Sequence, residues 1–329
     1  MTSLAPALES FFAVRLIQQR RASPQTIGAY GTTFRLLLDF AQHQLGKPPS
    51  ALELNDLDAQ LITAFLAHLE HDRHNSVRTR NARLAAIRSM FRYAALRHPE
   101  CSALIQQVLA IPDKRSERTI VTFLTDSEVD AVLDAPDRRT WTGRRDYTLL
   151  AVAIQTGLRV SELTGLTCAD VQLGRGANVR CLGKGRKERC TPLTTASVAV
   201  VRAWLRERGT DLWAPLFPTV RNSRLSSDAV QQLVIKHVQR AAAACPSLLT
   251  KHVTPHTLRH TAAMRLLHAG VDPVVIALWL GHERIETTNV YVHADITLKE
   301  RALARTVPVA VKPGRYRAPD PLLAFLESL

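Results

Sequence analysis

Between His256 and Tyr291 the chain gathers side chains that can handle a phosphate. The stretch opens with Thr254-Pro255-His256-Thr257-Leu258-Arg259-His260, continues through Leu280-Gly281-His282 and reaches Tyr291 nine residues later. Thr254 suits a helix N-cap and Pro255 the first helical position, where a missing N–H costs nothing. A helix starting there carries His256 and Arg259 at i and i+3 on one face of its first turns. The free N–H groups and the positive dipole end at that place attract phosphate. Two residues upstream of this stretch complete a chemical set: Arg159, and Lys184 between Gly183 and Gly185. Attack on a phosphodiester builds negative charge on the non-bridging oxygens and then on the leaving oxygen. Two guanidiniums can clamp the first through fixed forks of donors, and an ammonium can protonate the second. A phenol is a workable nucleophile once a neighbour draws off its proton. Losing one clamp then costs several powers of ten in rate, at about 1.4 kcal/mol for each. The set points to cutting DNA without metal or other cofactor.

The elements that must position these groups are legible from caps and periodicity. Gly270 ends the helix that Thr254 begins, and Asp272-Pro273 starts a short apolar helix that stops at Gly281. Thr125 and Glu128 form a capping box, Arg144 to Thr156 reads as an apolar helix ended by Gly157, and Arg159 precedes the short helix Val160-Ser161-Glu162-Leu163. From about Val171 to Leu193 the pattern turns to strands, with Gly183-Lys184-Gly185 at a hairpin tip. Helices resume over Thr195–Arg208 and Ser227–Ala244.

Residues 4–110 read as helices only. Leu8, Phe11, Phe12 and Leu16 mark the first; Ser23-Pro24 caps a second that stops near Gly46. A third runs from about Leu57 to Glu70 and a fourth from roughly Ser76 to Leu96, a small bundle. Residues 73–97 hold seven arginines and no acid, and Arg78, Arg88 and Arg92 flank the apolar arc of the fourth helix, so they are expected on the DNA backbone. The expected organisation is a helical domain over 1–110, a polar linker over 111–122, a catalytic domain over 123–305 and a tail over 306–329. The fold class is mainly α with a small antiparallel β-sheet.

The whole chain of 329 residues carries 43 Lys+Arg against 29 Asp+Glu, a net +14. Fifteen basic and ten acidic residues lie up to residue 118 and 28 and 19 after it, so the excess is spread over both parts. Such a charge favours a long polyanion over a small substrate. The five cysteines, at 101, 168, 181, 190 and 245, show no paired spacing, which argues against a disulfide framework or zinc knuckle. His252, His256 and His260 recur every four residues, yet Pro255 leaves His252 outside the helix and no Cys or Glu completes a zinc set. No signal peptide or membrane-length apolar run is apparent, and a cytoplasmic protein, nucleoid-associated when bound to DNA, is expected.

Thr-Gly-Leu-Arg-Val-Ser-Glu-Leu at 156–163, Gly-Lys-Gly-Arg-Lys at 183–187, His-Thr-Leu-Arg-His at 256–260, Leu-Gly-His at 280–282 and Tyr291 closely resemble the tyrosine recombinase (phage integrase) family. The helical first part resembles that family's core-binding, SAM-like domain. The resemblance implies a site-specific recombinase of integrase or transposase type, acting on double-stranded DNA as a homo-tetramer in a synaptic complex, without metal or ATP. It implies that Arg159 and Arg259 clamp the scissile phosphate and that Tyr291 forms a 3′-phosphotyrosyl bond. Lys184 would be the general acid for the 5′-oxygen, His256 would assist proton transfer at the tyrosine, and His282 would hydrogen-bond the phosphate. Glu162 stands where the family often has an acid that orients the first arginine. In relatives a terminal helix docks into a neighbouring subunit, a role open to Leu322, Phe325, Leu326 and Leu329; packing on its own domain is the alternative. Two other functions share these features: a DNA-binding protein without catalysis, and a type IB topoisomerase.

Overall fold

The computed structural model describes residues 3–115, 121–183, 188–209, 211–282, 287–288 and 291. Lys184 and the apolar stripe of the tail lie outside the described residues. The chain divides into two compact units, Met1–Thr119 and Ile120–Leu329. Among the described residues no helix is long and apolar enough to cross a membrane.

The first unit is helical throughout. Helix α1 is α-wound over Leu4–Ser10 and π-wound over Phe11–Gln19. Helix α2 covers Pro24–Leu45, where Ser23 Oγ accepts from the Thr26 amide and Gly46 takes the left-handed C-terminal turn. Helices α3 (Ala59–His71) and α4 (Val77–Ala95) are capped by Asp58 and Ser76. Each cap satisfies a backbone donor that the helix itself leaves unpaired. Phe11, Phe34, Ile62, Phe65, Ile87 and Phe91 meet in the core, each worth roughly 1.5–3 kcal/mol when fully buried.

A fifth helix, α5 (Ser102–Ala110), joins the four that the periodicity predicts. The chain then turns back along α4 instead of running free. Arg80 Nη1 donates to the Pro112 carbonyl, Asn81 exchanges hydrogen bonds with the Lys114 backbone, and Lys114 pairs with Glu70. Arg88 pairs with Asp113 and donates to the Ile111 carbonyl, whereas Arg78 and Arg92 are exposed. Of the three arginines expected on DNA, Arg88 is therefore engaged within its own unit.

The second unit is built on helix α7 (Trp141–Thr156), whose Leu149, Leu150, Val152, Ala153 and Ile154 are all buried. A helix apolar on every side belongs inside. Around it lie α6 (Asp126–Asp134, with the Thr125/Glu128 capping box), α8 (Val160–Gly165), α9 (Thr195–Arg208), α10 (Ser227–Ala241), α11 (Pro255–His268) and α12 (Pro273–Leu280). Strands β1 (Val171–Gln172), β2 (Asn178–Leu182) and β3 (Glu188–Pro192) form an antiparallel sheet in the order β1-β2-β3. Its register pairs Val179 with Thr191 and Cys181 with Arg189.

Gly157 ends α7 at φ +65°, and a Cβ there would lie 2.6 Å from Leu280 Cδ2 and 3.1 Å from Ala262 Cβ. The missing side chain lets α11 and α12 close on the end of α7. Gly157→Ala is expected to cost roughly 2–4 kcal/mol, from the left-handed backbone and the overpacking together. Urea unfolding measures it; an unchanged midpoint would contradict the packing described.

Candidate active site

The ends of α7 and α12 meet the starts of α8 and α11. Helices leave carbonyls unpaired at their C-termini, and the negative dipole end there favours cations. Arg259, 3% exposed and early in α11, uses both: Nη1 donates to Gly157 O at 2.7 Å and Nη2 to Leu280 O at 2.6 Å. Arg159, the residue that starts α8, donates from Nη2 to Gly281 O at 3.0 Å. Two glycine turns, at Gly157 and Gly281, thus present the oxygens that hold both guanidiniums.

Glu162 fixes Arg159 from the other side. Its Oε2 accepts from the Arg159 amide at 2.8 Å and its Oε1 from Arg159 Nη1 at 2.9 Å. The same carboxylate receives both terminal nitrogens of Arg189, at 2.9 and 2.7 Å. Burial alone would push the Glu162 carboxyl up; the hydrogen bonds from Arg189 and the Arg159 amide outweigh it and hold the carboxyl below its ordinary range. Arg259 has no such partner among the described residues. Its hydrogen bonds go to carbonyls and to no carboxylate among the described residues. Burial, then the neighbouring Arg159 charge, push its guanidinium down to about 10, so it stays charged at neutral pH.

Tyr291 is 2% exposed and sits among these groups. Its ring stacks on His282 (centroids 6.3 Å, 15°) and meets His260 edge-on (5.4 Å, 64°). Its hydroxyl lies 2.9 Å from His260 Nδ1. Burial holds the phenol above its ordinary range, and the charges of Arg259 and Arg159 offset only part of that rise. His282 Nδ1 lies 2.7 Å from Thr288 Oγ1. Burial first, then nearby positive charge, hold His260 and His282 down at about 4, so both are neutral at neutral pH.

Of the residues expected in the site, Arg159, Arg259, His282 and Tyr291 converge. His256 is exposed, with its ring 4.2 Å from that of His260, and the imidazole that touches the tyrosine is His260, one helical turn further along. Lys184 is outside the described residues, and Arg78, Arg88 and Arg92 belong to the other unit.

Two residues escape the sequence reading. His260 stands inside the quoted motif, four residues after His256 on the same helix face, a spacing that equally suits a metal pair. Arg189 lies two residues before buried Thr191 on the same face of β3, so strand period alone aims it inward. Gly281 makes room for it, since a Cβ there would come within 2.6 Å of Arg189 Nη1.

Arg189→Met is expected to cost about 3–5 kcal/mol, because it strips a buried carboxylate of its bidentate partner. The pH dependence of that loss carries a sign. With Glu162 lowered, its contribution is present above the ordinary carboxylate pKa and disappears as pH falls through the folded value. Chemical denaturation at pH 7 and in acid checks both; equal stability of the two chains at pH 7 would contradict the pairing.

Residues 122–297 match the phage integrase family and residues 8–98 the N-terminal SAM-like domain of phage integrases. The chain is 58% identical over 327 residues to a Sinorhizobium fredii protein named "Putative integrase/recombinase y4rC", covering 99% of this chain and 98% of that one. It is 34% identical over 321 residues to the tyrosine recombinase XerC of Pelobacter propionicus, covering 97% and 99%. Among solved structures, the XerH site-specific recombinase bound to palindromic difH substrate aligns with a TM-score of 0.68 at 22% identity, over 87% of this chain and 81% of that one. At that identity the likeness concerns the fold.

Proposed function

The chain belongs to the phage integrase family and is a tyrosine site-specific DNA recombinase, and from that premise we propose that Tyr291 cuts the strand while Arg159 and Arg259 hold the scissile phosphate. One observation carries the assignment of residues. Arg259 is a buried cation steered by two carbonyls, without a carboxylate among the described residues, next to a second arginine and a buried phenol. Burying a charge is costly unless a partner arrives. A phosphate entering between the two guanidiniums supplies that partner.

In this reading the Tyr291 oxygen bonds to phosphorus as the bond to the 5′-oxygen breaks. The arginines neutralise the non-bridging oxygens, with His282 adding a donor once it turns its free nitrogen to the phosphate. Lys184 gives its proton to the departing 5′-oxygen. The 3′-phosphotyrosyl bond conserves the energy of the broken one, so a new 5′-hydroxyl can reverse the step on another duplex without ATP. Arg78 and Arg92 contribute phosphate contacts from the helical domain. Assembly is a homo-tetramer on paired sites in the cytoplasm, with the tail over 306–329 docking on a neighbouring subunit.

A nicked suicide duplex, whose short 5′-fragment diffuses away after cutting, tests the proposal. A covalent protein–DNA adduct on a denaturing gel is the expected product. Exchange between two labelled sites then separates recombination from topoisomerase-like relaxation, and the mass of the native complex reads the assembly. Binding without any adduct would return the chain to the non-catalytic reading.

A further inference from the structure

The recombinase reading leaves one question of chemistry open: where the tyrosine proton goes. Among the described groups around the Tyr291 hydroxyl, Arg159 and Arg259 are cations and accept nothing. His282 lies parallel to the phenol ring, and its Nδ1 is engaged with Thr288. His256 faces the ring of His260. The nitrogen on the hydroxyl is His260 Nδ1, at 2.9 Å.

We propose that His260 is the catalytic base for Tyr291, taking the phenolic proton on Nδ1 as the tyrosine oxygen bonds to phosphorus. The proposal rests on the recombinase reading and assigns a step within it. In cleavage the O–H bond of Tyr291 breaks and an N–H bond forms on His260. The Tyr291 oxygen joins phosphorus, and the P–O5′ electron pair leaves on the 5′-oxygen, which Lys184 protonates. Rejoining runs the same way backward: the incoming 5′-hydroxyl attacks, and the departing phenolate recovers its proton from His260.

The surroundings suit a base that works only when substrate is present. Among the described residues, the titratable or charged groups around His260 are His256 and Arg259 on its own helix, with Tyr291 and His282 opposite and Arg159 beyond them. Burial and the first two hold its imidazole down at about 4, so at neutral pH Nδ1 is free to accept in the tautomer bearing hydrogen on Nε2. A phosphate bound between the arginines offsets their charge and makes the imidazolium easier to form. The proton therefore moves when DNA is in place and stays on the phenol otherwise.

The test is single-turnover cutting of the suicide duplex at pH 6 to 9. It compares the native chain with His260→Asn, and repeats each with a fluorinated tyrosine of lower pKa at position 291. His260→Asn keeps an acceptor near the Nδ1 position but takes no proton; His260→Gln serves as a second variant should the first fold poorly, with DNA binding as the check on folding. The variant is expected to cut about 10²–10⁴-fold more slowly at pH 7, the usual worth of a general base. Its rate should climb with pH, and the fluorinated phenol should restore much of the loss while altering the native chain little. Cutting within threefold of the native rate overturns the proposal. So does a slow variant with an unchanged pH profile and no response to fluorination, which would make His260 a positioning residue. If the native chain forms no adduct, the recombinase assignment of Tyr291 fails first, and this proposal fails with it.

Discussion

Tyr291→Phe is expected to form no covalent adduct with a suicide duplex, at any time of incubation, while binding it within about twofold of the native affinity, because phosphate contacts elsewhere dominate binding. The substitution removes one oxygen and keeps the ring. Tyr291 packs with Ala263, Met264, Leu267, Ile276 and Leu280, and all of those contacts survive in phenylalanine. The only described hydrogen bond lost is the one to His260, worth about 1 kcal/mol net. The folded state therefore persists, and any loss of adduct is a loss of nucleophile. A denaturing gel reads the outcome. An adduct surviving in Tyr291→Phe would mean that another side chain attacks, and the site drawn around Arg259 would have to be redrawn.

Arg259→Lys is expected to slow cleavage by about 10²–10³-fold or more, the cost of removing one preorganised donor set from a developing oxyanion. Charge is nominally conserved, which makes the comparison informative. The guanidinium reaches Gly157 O and Leu280 O at once and still keeps donors for a phosphate. An ammonium is a single point: it cannot span both carbonyls and face the substrate, and its pKa falls readily on burial. The effect should appear in the rate of the chemical step much more than in affinity. Rapid-quench cutting at saturating enzyme measures it. A rate within a few-fold of the native chain would show that the phosphate is held elsewhere.

Much of this site is local information, which is why it is legible before any coordinates. Thr254, Pro255, Asp272 and Pro273 announce where α11 and α12 begin, Gly157 and Gly281 where α7 and α12 end, and the motif residues lie at fixed offsets from those marks. Arg189 is different in kind. Its importance lies in a partner 27 residues earlier, Glu162, and pairing across a strand and a helix depends on the tertiary fold. His260 is hidden for another reason: two imidazoles at helical spacing look alike in sequence, and only the direction of approach of Tyr291 distinguishes them. The run from Ile111 to Arg115 reads as linker because it is polar and aperiodic. Its order comes from Arg80, Asn81 and Arg88 gripping its backbone, and main-chain acceptors carry no sequence signature.

That silence of the main chain has a further use at the two glycine turns. The oxygens of Gly157, Leu280 and Gly281 that aim the arginines exist whatever side chains surround them. Engineers seeking altered target preference are thus free to diversify outward-facing positions extensively. Catalytic competence would tolerate such libraries provided the ends of α7 and α12 keep their spacing from the starts of α8 and α11.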